Sequence, residues 1–137
     1  MTAWVAGLVL AGCSMAPAKA EVTGTITIPG KPLSYSATPT EGDSCRVKDG
    51  YSDVDFGTTV TIRDGKGEIV GVGMVGAPLV TFDGQEPTSF LYWCRFTFTV
   101  KDVQRGRDFY SVEVGRRGQV SYEEERLFGS GPSLTLG

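Results

Sequence analysis

The longest alternating run in the chain covers residues 90–100, which read FLYWCRFTFTV. One set of alternate positions is apolar and consists of Tyr92, Cys94, Phe96, Phe98 and Val100. The positions between them are Trp93, Arg95, Thr97 and Thr99. Because successive side chains of a β-strand point to opposite faces, this alternation predicts a strand with one face in the core and the other in water.

Shorter runs of the same period lie on both sides of this segment, at residues 25–28, 58–62, 69–75, 109–114 and 133–136. Asp64-Gly65-Lys66-Gly67 separates the second run from the third with residues that tolerate a positive φ, which predicts a hairpin. Ser121 and Glu124 have the Ser-x-x-Glu spacing of a capping box, which predicts a helical turn or two that ends at Phe128. The sequence therefore predicts an all-β fold of about seven strands, a small antiparallel β-sandwich or barrel, with at most one short helical turn.

Composition limits the size of the domain and the chemistry available to it. The chain has 137 residues, 40% of them hydrophobic, and a formal net charge of −3. A chain of this length buries roughly 65% of its unfolded surface, enough for one packed core. It contains no histidine, which excludes Ser-His-Asp triads, Cys-His pairs and His-ligated zinc sites. The net negative charge argues against nucleic-acid binding.

The N-terminal segment has the pattern of a secretion signal. Residues 4–11 form an uninterrupted apolar and small-residue run, too short for a transmembrane helix, which needs about 20 residues. The run closes with Leu10-Ala11-Gly12-Cys13, which resembles the lipobox of bacterial lipoproteins. That resemblance implies that a diacylglycerol is attached to Cys13 and that the chain is cut just before it.

These boundaries predict a lipoprotein signal peptide at residues 1–12, a lipid-anchored tether at 13–23 and a single β-domain at 24–137. Met1, Thr2 and Ala3 supply none of the basic residues that normally open a signal peptide. The alternative is a buried N-terminal strand or helix in which Cys13 is merely a small apolar residue. The abrupt change in composition after Cys13 favours the signal.

The chain has three cysteines, and lipidation of Cys13 would leave Cys45 and Cys94. Outside the cytosol two such cysteines usually pair, so we expect a disulfide between them. Two reduced, buried thiols in a cytosolic protein are the alternative.

Residues 42–136 resemble a family of small secreted and lipid-anchored β-domains, mostly uncharacterised, of actinobacteria and their phages. The resemblance is carried by Cys45, by the segments 50–54, 57–62 and 94–103, and by 110–114 with Arg117-Gly118. It implies an exported, disulfide-linked β-domain and brings no catalytic residue with it.

Acidic residues offer the first candidate site. Asp43, Asp49, Asp53 and Asp55 could supply oxygen ligands to calcium, but their spacing does not match an EF-hand loop. Because they lie beside glycines, turn formation is the favoured role. We therefore predict no metal site, no cofactor and no catalytic residue. A glycosidase-like pair drawn from Asp53, Asp55, Glu113 and Glu124 remains as the enzymatic alternative.

Two surface patches are candidates for contact with a partner. Trp93 and Arg95 share the outward face of the long strand and form the first patch. A cover over Trp93 by the loop 81–88 is the alternative. The second patch consists of Arg105, Arg107, Arg116 and Arg117, which we expect at one end of the domain together with Lys101. They would meet anionic lipid headgroups or a cell-wall polymer, unless they form only a solvated edge.

Together these features predict an exported protein that is lipid-anchored on the extracytoplasmic face of the cell membrane. Its expected function is non-catalytic binding of a protein or an envelope polymer. The alternative function is that of a phage-derived envelope lipoprotein that excludes superinfecting phages.

Replacement of Cys13 by Ser should release the protein from membranes. The two acyl chains of a diacylglycerol suffice for stable anchoring, where a single chain is marginal. Fractionation of expressing cells, followed by mass measurement of the N-terminus, checks this expectation. Unchanged membrane partitioning of the variant, or an intact Met1 terminus on the exported protein, would contradict it.

Overall fold

The computed structural model describes residues 18–32, 38–83 and 91–136. In this part of the chain there are eight strands and one short helix. The strands are β1 Lys19–Pro29, β2 Thr59–Asp64, β3 Ile69–Val75, β4 Leu79–Thr81, β5 Trp93–Gln104, β6 Phe109–Val114, β7 Gln119–Glu123 and β8 Ser133–Thr135. The helix, α1, is Glu124–Phe128. The all-β prediction is confirmed. No helix in the described ranges is long and apolar enough to cross a membrane.

The strands form one sheet in the order β7-β6-β2-β3-β5-β1-β8. β3 and β4 pair with the same edge of β5, at successive places along it. β1 pairs with the other edge of β5. The pairings are antiparallel, as predicted, except for β8, which runs parallel to β1. The sheet curls into a nearly closed barrel. At the closing seam the side chain of Tyr122 on β7 lies beside the backbone of Ser133 on β8.

The inward face of β5 is the centre of the core. Its side chains Cys94, Phe96, Phe98 and Val100 are all buried, as the alternation predicts. The strand extends beyond the predicted run because Asp102 adopts a φ of 56° and shifts the alternation, which returns Val103 to the interior. The adjacent strand β3 carries Gly73 beside Val100 of β5, and a Cβ added to this glycine would lie 2.6 Å from the Thr99 carbonyl oxygen. The backbones of β3 and β5 therefore approach each other more closely here than a side chain at position 73 would allow.

The sheet begins earlier than the sequence suggested. β1 starts at Lys19, so residues 19–23 of the predicted tether belong to the domain. Val22 is fully buried between exposed Glu21 and Thr23, which extends the alternation upstream of the predicted strand. The predicted signal sequence and Cys13 lie outside the described residues.

The helix ends before Gly129, as predicted, but the capping-box prediction is wrong. Ser121 lies in β7, opposite Ser111 on β6, and the N-cap residue is Glu123, which makes no side-chain capping bond. The Glu124 carboxylate instead accepts a hydrogen bond from the Gly106 backbone N–H. Pairing with β6 keeps this segment extended, so local spacing does not decide where the helix starts.

Gly131 joins α1 to β8 with a φ of +82°, and a Cβ added there would lie 1.9 Å from the Thr23 carbonyl oxygen. Gly131→Ala should destabilise the domain by about 2–4 kcal/mol, because a left-handed backbone and a backbone clash add together. Gly65→Ala is the control, since an added Cβ there meets nothing within 4 Å. Urea unfolding of both variants gives the comparison. Equal stability of the two would contradict the tight junction between β8 and β1.

Candidate functional site

The barrel has two ends that differ in construction. The near end is where β1 begins and where the turns 64–68 and 105–108 and α1 lie. The far end is where β1 stops at Pro29, and it carries the turn 115–118 and the described parts of the connection between β1 and β2, residues 30–32 and 38–58. Because β1 has 11 residues, its first and last residues lie roughly 35 Å apart along the strand.

The connection between β1 and β2 is far longer than the usual loop of roughly 4–6 residues. Loops of this length without secondary structure of their own are commonly functional. Isolated bridges join Gly30 to Val47 and Ser44 to Leu79, and so tie the described part of the loop to itself and to β4. Val54 is fully buried and fastens the loop to the core.

A disulfide between Cys45 and Cys94 joins this loop to the buried face of β5. The predicted pairing is therefore confirmed. Because 49 positions separate the two cysteines, the chain-entropy description gives a stabilisation of about 4 kcal/mol. The disulfide holds one side of the loop directly against the central strand.

Arg117 holds the other side of the loop. Its Nε donates to Asp53 Oδ2 at 2.8 Å, and its Nη2 donates both to Asp53 Oδ1 and, at 2.6 Å, to the Gly50 carbonyl oxygen. The guanidinium carbon lies 5.0 Å from the centroid of the Tyr51 ring. The hydrogen bond from Arg117 lowers the pKa of Asp53, although partial burial opposes the shift. We call this group, Arg117 with Gly50, Tyr51 and Asp53, the arginine clamp.

The far end also contains a surface cavity of about 590 Å³, which lies within the size range of ligand sites. It is lined by residues that include Lys31, Arg46, Lys48, Asp49 and Asp55. Cations and anions are mixed in this lining, and Lys31 already pairs with Asp49 at 3.5 Å. The cavity is therefore polar without a strong charge of either sign.

Trp93 and Arg95 point outward from the far half of β5, on the face opposite Cys94, as predicted. Trp93 is half-buried beside Thr81 of β4, and residues 84–88 of its predicted cover lie outside the described ranges. Arg95 Nη2 forms an ion pair with Asp83 Oδ1 at 3.2 Å. This pair lies at one side of a groove of about 420 Å³ on the outer face of β1 and β8.

The expectation that Arg105, Arg107, Arg116 and Arg117 collect at one end is wrong. The first two lie in the turn before β6 and the last two in the turn after it, so the length of that strand separates them. Lys101 is exposed on the near-end half of β5. Whether any of these arginines contacts a partner stays a prediction.

Each separated arginine has its own surroundings. Arg105 stacks over the Phe128 ring at 4.8 Å. Arg107 Nε lies 3.9 Å from Asp64 Oδ2, the buried carboxylate oxygen that lacks a hydrogen bond. Arg117 belongs to the arginine clamp, whereas Arg116 is exposed and has no side-chain partner among the described residues.

The four aspartates considered as calcium ligands each bond to a different group. Asp43 Oδ2 accepts the Thr40 N–H at 3.2 Å, and Asp55 Oδ1 accepts the Phe56 N–H at 2.7 Å. Asp49 and Asp53 pair with Lys31 and Arg117 as described above. In the described ranges no three acidic, cysteine or histidine side chains lie close enough together to hold a metal ion.

The carboxylates considered for hydrolysis are likewise engaged. Glu113 Oε1 lies 3.2 Å from Arg63 Nη1 on the outer face of the sheet. Glu124 accepts the Gly106 N–H at the near end and lies 3.2 Å from the Tyr110 hydroxyl. Asp53 belongs to the arginine clamp at the far end, and Asp55 caps a turn there. The four side chains therefore do not share one cleft.

Sequence reasoning missed the outward hydroxyl groups beside Arg95. Thr25 and Thr27 on β1 face Ser133 and Thr135 on β8, across the parallel pairing. The alternating threonines at 23, 25 and 27 are visible in the sequence, and they were a usable signal. Their neighbours could not be inferred, because the partner strand lies more than 100 residues away along the chain.

No protein-family model, no curated protein and no solved structure matches this chain.

The arginine clamp should loosen in acid. The Asp53 pKa is depressed in the folded state, so its stabilising effect is complete above the unfolded value of about 3.9 and is lost as the pH falls through the folded value. Asp53→Asn should produce the loose state already at pH 7. Hydrogen exchange at the Val54 amide, which donates to the Tyr51 carbonyl, reports the change.

Asp49→Asn is the matched control, because Asp49 is an exposed aspartate of the same loop outside the clamp. Faster exchange at Val54 in the Asp53 variant alone is the expected result. Equal exchange in both variants would show that the clamp does not hold the loop.

Proposed function

We propose that this protein is a lipid-anchored, non-catalytic binding module of the cell envelope. One observation carries the proposal: the chain enters the barrel at the near end, the pinned loop and the cavity lie at the far end, and the groove extends from the middle of β1 toward the far end. An anchor at Cys13 would be followed by only a few residues before β1 begins at Lys19. The near end would then face the membrane, and the far end would face the envelope.

The construction of the far end supports binding. The Cys45–Cys94 disulfide and the arginine clamp hold the loop at two separate places. A loop held in this way loses little conformational freedom when a partner binds, so more of the contact energy contributes to affinity. Such a loop on a β-scaffold is suited to the recognition of a macromolecule.

The placement of the carboxylates supports a non-catalytic role. A glycosidase needs two carboxyl groups separated by about 5–10 Å on either side of the scissile bond. Here Glu113 pairs with Arg63, Glu124 bonds to Gly106, and Asp53 is held by Arg117. These three groups lie on different parts of the barrel, and Asp55, which shares the far end with Asp53, accepts the Phe56 N–H within a turn.

The proposal predicts that residues in the far half of the barrel contribute more to envelope binding than residues near the other end. Arg95→Ala should weaken cosedimentation of the purified domain with isolated cell envelopes of the producing organism by about tenfold, because a hydrogen bond to a charged group contributes roughly 1.5–3 kcal/mol. Arg63→Ala should leave it unchanged.

Arg63 is a matched control, because both arginines are partly exposed and each pairs with one carboxylate at 3.2 Å. Thermal unfolding of both variants establishes that they remain folded. Absence of any cosedimentation of the wild-type domain, or an equal loss for the two variants, would overturn the proposed function.

A further inference from the structure

The groove on the outer face of β1 and β8 has a lining of unusual composition. Hydroxyl groups and one ion pair dominate it, contributed by Thr25, Thr27, Ser133, Thr135, Asp83 and Arg95. Its volume of about 420 Å³ lies within the usual range for small-molecule and oligomer sites, roughly 300–1,000 Å³.

The hydroxyl-bearing residues form a regular array because of the strand pairing. Thr25 is opposite Ser133, and Thr27 is opposite Thr135. Neighbouring strands are about 4.8 Å apart, and alternate residues of one strand are about 6.6 Å apart. The four residues therefore lie at the corners of a rectangle of about 4.8 by 6.6 Å. Each of their hydroxyl groups can donate one hydrogen bond and accept two.

Thr27 lies at the centre of this array, opposite Arg95 on β5 and Thr135 on β8. Only 8% of it is exposed, and its side-chain hydroxyl has no hydrogen-bond partner within residues 18–32, 38–83 and 91–136. The residue lines the groove. The hydroxyl is open to the groove, because Asp64 Oδ2 is the one buried side-chain oxygen that lacks a hydrogen bond in the described ranges. It can therefore bond to a polar group of a ligand that lies there.

Arg95 and Asp83 set the charge preference of the groove. Their ion pair, at 3.2 Å, has no net charge and offers several donors together with carboxylate acceptors. A polyanion would meet the Asp83 carboxylate, and a polycation would meet the Arg95 guanidinium. The pair therefore favours a neutral ligand that both donates and accepts hydrogen bonds.

The remaining lining and the strand pairing argue against two other modes of binding. Pro132 and Gly24 are the apolar residues of the groove, so a lipid chain or an apolar peptide would bury little carbon surface. β1 is paired with β5 on one edge and with β8 on the other. An extended peptide therefore cannot add to β1 as a further strand.

We infer that the groove binds a segment of a neutral polysaccharide, with Thr27 as the central hydrogen-bonding residue. The inference rests on the proposed function, because it names the class of envelope component that the module recognises. Ring hydroxyls of the sugar bond to the threonine and serine array. The Arg95 and Asp83 side chains bond to a pair of neighbouring hydroxyls.

The test is an NMR titration of the disulfide-bonded domain with soluble neutral oligosaccharides of glucose, galactose, mannose and arabinose. At least one probe should shift the amide resonances of Thr25, Thr27 and Thr135. Inorganic polyphosphate, the anionic probe, should leave them in place. Absence of a shift with every neutral probe, or equal binding of polyphosphate, overturns the inference.

Thr27→Val removes the hydroxyl and retains the branched shape. It should weaken oligosaccharide binding by roughly threefold to tenfold, as for the loss of one hydrogen bond. It should also leave Tm unchanged or raise it, because the hydroxyl has no partner in the described structure. Thr61→Val on the outer face of β2 is the matched control and should change neither property.

The two proposals fail separately. If the domain cosediments with envelopes but Thr27→Val and Thr61→Val bind every oligosaccharide equally, the groove assignment is wrong and the proposed function stands. If the domain binds an oligosaccharide through Thr27 but does not cosediment with envelopes, the groove assignment stands and the proposed function fails.

Discussion

Burial of the inward face of β5 is the constraint on which the rest of the barrel depends. Phe96, Phe98 and Val100 lie in the interior, and each large apolar side chain contributes about 1.5–3 kcal/mol when it is fully buried. β1 pairs with one edge of the strand, and β3 and β4 pair with the other. Any change that turned β5 over by one residue would expose this whole apolar set and bury its threonines.

The same strand organises the far end of the molecule. Cys94 belongs to the buried face of β5, so its disulfide with Cys45 positions the long loop relative to the core. The arginine clamp then fixes the opposite side of that loop to the turn after β6. One covalent bond and one ion pair thus give an irregular segment a defined shape without regular secondary structure.

The outward face of the sheet is chemically different from one side of the barrel to the other. Around β3 it is apolar, with Val72 and Met74 both more than half exposed. Around β1 and β8 it carries hydroxyl groups and the Arg95–Asp83 pair. Threonine is a common residue on β-surfaces because its branched side chain suits the pleat. The Arg95–Asp83 pair beside Thr27 is what distinguishes the groove from an ordinary strand surface.

Features that depend on neighbouring residues could be read from the sequence. Alternation placed most of the strands and the correct face of β5, the turn residues at 64–67 placed the hairpin, and the cysteine count gave the disulfide.

Features that depend on distant residues could not be read from the sequence. The parallel pairing of β8 with β1, the clamp between Arg117 and Asp53, and the burial of Thr27 all need segments far apart in the chain to meet. Local periodicity records which way a side chain faces, whereas strand order and loop path decide what it faces. That difference is why the arginines before and after β6 looked like one cluster in the sequence and lie at opposite ends of a strand in the fold.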